Sequence, residues 1–158
     1  MKWSFSFVIP SLFSLLLLTS CGAINLYEKN TAIPNYAWKA GFEAKGSFDI
    51  TDTIHPNKIY VVLRHTDAYR YNNIWLNVGI QKPGDSMRFQ KVDIPLGSDA
   101  TGWYGTGMND IWEIRYELNA VAYPFIHKGL YQFSIQQIMR DDPLLQVMSV
   151  GMRIERLN

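Results

Sequence analysis

Three polar clusters hold most of the side chains that could recognise a ligand or react. The densest is Arg64-His65-Thr66-Asp67-Ala68-Tyr69-Arg70-Tyr71-Asn72-Asn73. Aromatic faces beside Arg, Asn and Asp suit a sugar or a peptide. The same residues also suit a turn in which Asp67 and Asn72 cap backbone amides. The second cluster spans Gly97 to Glu113 and contains Trp103, Tyr104, Asn109, Asp110 and Trp112. Its spacing Gly102-x-x-Gly105-x-Gly107 lacks the Gly-Lys-Ser/Thr ending of a phosphate loop. An aromatic, Gly-rich loop suits carbohydrate stacking, and equally a loop folded back over a sheet edge. The third cluster is Met139-Arg140-Asp141-Asp142-Pro143. A calcium site there would need oxygens from Asp67, Asp99 or Asp110 brought to the same place. The alternative is a capped turn with an ion-paired Arg140. His55, His65 and His127 form no His-x-His or His-Glu-x-x-His pattern, and there is no Gly-x-Ser-x-Gly elbow. No catalytic, metal or cofactor set emerges, and the expectation is a non-enzyme. The residues expected to carry interaction are Arg64, His65, Asp67, Tyr69, Asn72, Asn73, Trp103, Tyr104 and Asp110.

Covalent chemistry is signalled elsewhere. Lys2 is followed by an apolar run, Phe5 to Leu18, too short for a comfortable permanent span. Leu18-Thr19-Ser20-Cys21 then has the Leu-small-small-Cys form of a lipobox. A plain secretory signal with an incidental cysteine, or an uncleaved anchor, would place similar residues here. The lipobox reading predicts cleavage before Cys21 and lipidation of its thiol. Cleavage leaves 138 of the 158 residues, with fourteen basic against fourteen acidic side chains once Lys2 is gone. Zero formal charge gives no electrostatic reason to bind nucleic acid. Cys21 is the only cysteine, so no intrachain disulfide forms and the exported domain depends on its core.

The elements that must position the clusters read in period two. Apolar residues alternate with polar ones around Phe48 and Ile50, then through Ile59-Val61-Leu63 and Ile74-Leu76-Val78-Ile80. The pattern continues in Val92-Ile94-Leu96, Trp112-Ile114-Tyr116-Leu118, Tyr131-Phe133-Ile135 and Met148-Val150-Met152-Ile154. Phe89 is out of phase, which predicts a bulge near Gln90-Lys91. Turn residues separate the runs, with Pro83-Gly84-Asp85 fitting a tight hairpin. About seven amphipathic strands predict an all-β fold, an antiparallel β-sandwich that is immunoglobulin-like or jelly-roll-like. The expected organisation is a signal peptide over 1–20, a lipidated N-terminus and tether over 21–37, and the sandwich over 38–158. Pro34 and the absence of periodicity motivate the tether.

Several idiosyncratic runs carry a resemblance. They are Tyr60 to Tyr69, Asn72 to Asn77, Gly102 to Met108, Asp110 to Glu113, Gln137 to Leu144 and Val150 to Glu155. With the lipobox and Tyr27-Glu28-Lys29-Asn30, the chain resembles the GldH gliding-motility lipoproteins of the Bacteroidetes. The resemblance implies an envelope lipoprotein, anchored at the outer membrane and acting beside other gliding components whose machinery overlaps with secretion. It transfers no catalytic residue. The mature start, Gly22-Ala23-Ile24-Asn25, lacks an early acidic cluster. Such clusters resemble surface-export signals, so a periplasm-facing domain is expected. Three functional classes are open: a protein-interaction module, a carbohydrate-binding module using Trp75, Trp103 or Tyr104, and a glycan-processing enzyme.

Overall fold

The computed structural model describes residues 26–119 and 123–157; the signal peptide and Cys21 lie outside the described residues. In chain order the strands are β1 (Leu26–Ala32), β2 (Ala37–Trp38), β3 (Ala44–Ile50), β4 (Asn57–Thr66), β5 (Asn73–Gln81), β6 (Arg88–Pro95), β7 (Gly97–Ser98), β8 (Gly102–Trp103), β9 (Thr106–Met108), β10 (Ile111–Glu117), β11 (Gly129–Gln137), β12 (Leu144–Leu145) and β13 (Val147–Arg156). A five-stranded sheet has the order β1-β13-β4-β10-β9, and a four-stranded sheet the order β3-β11-β5-β6. All pairs in both sheets are antiparallel. Two short pairs, β2 with β12 and β7 with β8, close the loops.

The alternation places one row of each strand inside. Ile59, Val61 and Leu63 of β4 meet Val150, Met152 and Ile154 of β13 on the inner face of the larger sheet. On the smaller one, Val78 of β5 is opposite Ile135 of β11 and Ile74 is opposite Ile94 of β6, with Leu76 and Phe133 buried in the same rows. These rows form one contiguous core, the β-sandwich expected from period two. The seven expected strands are present as β3, β4, β5, β6, β10, β11 and β13, and six short or edge strands add to them.

Two expectations are corrected. Of the tether expected over 21–37, residues 26–32 are instead a strand of the sandwich, because β1 pairs with β13 through seven residues from Leu26 to Ala32; residues 21–25 lie outside the described residues. Tyr27 packs on Phe48 with ring centroids 5.6 Å apart, and Glu28 pairs with Arg153 at 2.9 Å. Pro34 starts a single 3-10 turn, Pro34–Tyr36, and the flanking Ile33 is buried. An edge strand with so few residues reaching the core shows little periodicity. The bulge near Gln90-Lys91 is also absent: β5 and β6 stay in register from Asn73–Pro95 to Ile80–Arg88. Phe89 points outward and lies over Gly79, where a Cβ would be 2.6 Å from the ring. The register shift falls instead in β13, between Val147 and Ser149. The Pro83-Gly84-Asp85 hairpin joins β5 to β6 as expected, with Gly84 at φ +74°.

Candidate functional site

The strand directions sort the connections to two ends. Leu26 is in register with Glu155, and Glu155 with Lys58, so the chain enters beside the start of β4. Thr66, at the other end of β4, is opposite Ile111, and Asn73 is opposite Pro95. Segments 67–72, 97–110 and 138–146 therefore gather at the end remote from the chain entry. All three polar clusters meet there, although they are far apart in sequence.

Their pivot is a buried aromatic group. Ile59, Val61 and Leu63 face inward, and two residues further along β4 the same phase puts His65 inside, fully buried. Its imidazole lies 4.6 Å from the Trp103 ring in an edge-on arrangement and 5.4 Å from Tyr69. Nδ1 is 2.8 Å from the carbonyl oxygen of Thr66 and donates to it. Nε2 has no partner. Burial lowers the His65 pKa, against a smaller opposite effect of the Thr66 carbonyl. Tyr69 is 4 % exposed, and its hydroxyl donates to the carbonyl oxygen of Asn73 at 3.1 Å. Burial holds that phenol above its ordinary range. His65 and Tyr69, expected as contact residues, are thus part of the core, with Trp103 half-buried over them.

A pH dependence follows. The unfolded state takes up a proton at the usual histidine pKa of about 6.5, and the folded state resists it. Stability is then complete above that pH and falls as pH drops toward the lowered folded value. Thermal melts between pH 7 and 5 should show this decline, and His65→Leu should flatten it.

The remaining expected residues divide by location. Asp67 donates its backbone N–H to the carbonyl oxygen of Asp110 at 2.8 Å, which holds the end of β4 to the β9–β10 hairpin. The Asn72 carbonyl accepts from Leu96 and Gly97 at 2.7 and 3.1 Å. The Asn73 amide donates to Asp93 at 2.7 Å. These are turn-building roles, although Asp67, Asn72 and Asp110 are also exposed. Arg64 lies on the outer face of the larger sheet rather than in a loop. Its guanidinium pairs with Glu113 at 2.6 Å, and Glu113 also takes Arg115 at 2.9 Å. Arg64 and Tyr104 line a groove there with Met108, Ile111, Glu113 and Met148. Gly105, at φ +87°, shapes this loop because a Cβ would strike the carbonyl oxygen of Glu113.

Arg70, Tyr71 and Arg140 complete the remote end. Tyr71 donates to Asp141 at 2.7 Å, and this hydrogen bond, with some burial, raises the phenol's pKa. Arg70, Tyr71 and Arg140 line a cleft with Asp142, Leu145 and Gln146. Both guanidiniums are exposed, and neither forms an ion pair among the described residues. Gln146, at φ +70°, fastens the cleft: its side-chain oxygen accepts from the Thr66 hydroxyl at 2.8 Å, and its N–H donates to Tyr36. Asp142 accepts from the Ala40 N–H at 3.0 Å. The two aspartates are thus engaged in fixing loops, and no group of three or more metal-type ligands forms among the described residues. The turn signal around Arg70 was present in the sequence, but its approach to Arg140 depends on the adjacency of β5 and β11. Trp75, Trp103 and Tyr104 do not share a platform. Trp75 is on the outer face of the smaller sheet, opposite Asp93, whereas Trp103 packs on His65 and Tyr104 lines the groove with Arg64 on the larger sheet.

Residues 25–154 match a family described as GldH lipoprotein. The chain is 26% identical over 165 residues to the gliding motility lipoprotein GldH homolog of Christiangramia forsetii, covering 99% of this chain and 98% of that protein. It is 24% identical over 153 residues to the gliding motility lipoprotein GldH of Flavobacterium johnsoniae, covering 92% and 93% respectively. Among solved structures, the infectious bursal disease virus VP2 subviral particle is matched at TM-score 0.34 and 14% identity. That match covers 82% of this chain and 32% of the viral one, and the likeness is too slight to bear on function.

Proposed function

The chain belongs to the GldH lipoprotein family, and from that premise we propose that it is a non-catalytic, lipid-anchored interaction protein contributing to gliding motility. Its remote loop end docks a protein partner of the motility apparatus or of the secretion machinery that overlaps with it. Cys21 carries the anchor at the outer membrane, and the sandwich faces the periplasm.

One observation carries the docking reading. Segments 67–72 and 140–146 converge on a cleft beside Tyr71 with two arginines that form no ion pair among the described residues, at the end away from the chain entry. Arg and Tyr are the residue types that most often dominate protein interfaces, because each combines a flat apolar body with directional hydrogen bonds. The loops are fastened beneath by the His65–Tyr69–Trp103 group and by Gln146, so little ordering is needed on binding.

Photocrosslinkers at positions 70 and 140, used in cells, should capture one envelope protein that a crosslinker at the exposed Ser47 does not. The Arg70→Glu, Arg140→Glu double variant should lose that crosslink and the motility it supports. Its stability should stay within roughly 0.5 kcal/mol of the parent, as for other surface changes. Equal capture from all three positions, or unimpaired motility in the double variant, would refute the docking surface.

A further inference from the structure

The end of the sandwich at which the chain enters has its own unexplained feature. Ile54 is 87 % exposed and Ile126 67 % exposed, the two most exposed aliphatic side chains of the described residues apart from Met108. Ile54 is in the β3–β4 connection and Ile126 in the segment before β11. These segments are neighbours, because Asn57 and Tyr123 exchange both backbone hydrogen bonds, at 3.0 and 2.6 Å. Leu130 and Leu26 add partial exposure at the same end.

Neither isoleucine is exposed through looseness. Asp52 accepts from the N–H groups of Ile54 and His55 at 2.8 and 3.3 Å, and pairs with Arg156 at 2.9 Å. That turn projects Ile54 outward. Phe125 is 1 % exposed and fills the core, which turns the adjacent Ile126 away from it. Lys128 follows, and Lys82 is in the neighbouring hairpin, where Pro83 approaches Gly129. Neither lysine forms an ion pair among the described residues. Aliphatic side chains turned outward, with lysines that form no ion pair among the described residues in the neighbouring segments, match a lipid interface: the apolar tips enter the acyl boundary and the ammonium groups remain with phosphates.

Chain length selects that occupant. Leu26 is five residues after Cys21, a span of at most about 18 Å when fully extended. The ten residues of β4 separate the two ends by about 30 Å. An anchor on Cys21 therefore brings the entry end, and not the loop end, to the bilayer. We propose that Ile54 and Ile126 seat the domain in the membrane interface, with Lys82 and Lys128 at headgroup level. This rests on the anchor reading and adds an orientation to it.

The test uses the full lipidated protein in vesicles of phosphatidylethanolamine and phosphatidylglycerol. Lipidation consumes the thiol of Cys21, so Ile54→Cys, Ile126→Cys and Tyr104→Cys each carry a single free thiol for a nitroxide label. Labels at 54 and 126 should collide with dissolved oxygen several-fold more than with an aqueous nickel chelate, and the label at 104 should show the reverse. Adding Ile54→Asp should return the label at 126 toward water. Flotation of the unlabelled protein tests the anchor separately. Protein that floats while labels 54 and 126 behave as aqueous overturns the seating and leaves the anchor standing. Labels shielded from both reagents indicate a protein contact and overturn it as well. Protein that does not float overturns both readings.

Discussion

Cys21→Ala releases the protein from the membrane and leaves the sandwich folded. Both halves of this expected result have physical grounds. Acyl chains on one residue hold a protein by about 0.8 kcal/mol per buried methylene, far more than two isoleucines at an interface provide. The described domain begins at Leu26, and its edge strand closes on β13 through contacts that do not involve Cys21. Exported behind an ordinary secretory signal, so that cleavage does not depend on the lipobox, the variant should move from the membrane to the soluble fraction, and its thermal midpoint should match that of the detergent-solubilised parent. Motility supported by the protein should be lost, because the loop end is then no longer held within reach of other membrane components. A soluble, unlipidated form that sustains full motility would refute the role assigned to the anchor.

Trp38→Ala should produce the largest loss of stability among single changes at the tryptophans. Trp38 has no exposed surface, its indole N–H donates to the carbonyl oxygen of Phe42 at 2.9 Å, and its backbone pairs with Leu144. Truncation leaves a cavity of aromatic size and a carbonyl without its donor, together costing about 3–5 kcal/mol. Domains of this size are stable by only about 5–15 kcal/mol, so the variant sits close to unfolding. The effect should reach function, since β2 and β12 tie the first turn to the loop that carries Arg140. Denaturant titration should show a lower midpoint at unchanged slope. Trp75→Ala is the control: that ring is 42 % exposed on a sheet face, and its removal should cost about 1 kcal/mol or less.

These two tryptophans also illustrate what was legible in the sequence. Trp75 alternates with Ile74 and Leu76, so its outward position follows from period two. Trp38 belongs to a two-residue strand with no period to read, and it was expected only as the first residue of the domain. The seven long strands were legible because each has one apolar row bounded by turn residues. β1 was not, since an edge strand with polar residues on both sides resembles a linker. At the site, the phase of β4 carried as far as His65 already places the imidazole inside; stopping the run at Ile59-Val61-Leu63 concealed this. The shared cleft of Arg70 and Arg140 had no local signal, because 70 residues separate them in sequence and only the pairing of β5 with β11 brings their segments together.

The edge strand has a mechanical consequence. β1 runs from the entry end toward the loop end, antiparallel to β13, and its hydrogen bonds lie across the strand axis. A pull between the anchor and a partner held at the loops acts along that axis. It loads β1 against β13 in shear, so the seven register pairs share the force and must yield together. The same strand drawn off sideways would peel one pair at a time. Gly151, where a Cβ would collide with the backbone of Lys29 and Asn30, allows this close seating midway along the seam. The segment that reads as a passive leash is thus built into the fold as a joint aligned with the direction in which a tethered domain would be pulled.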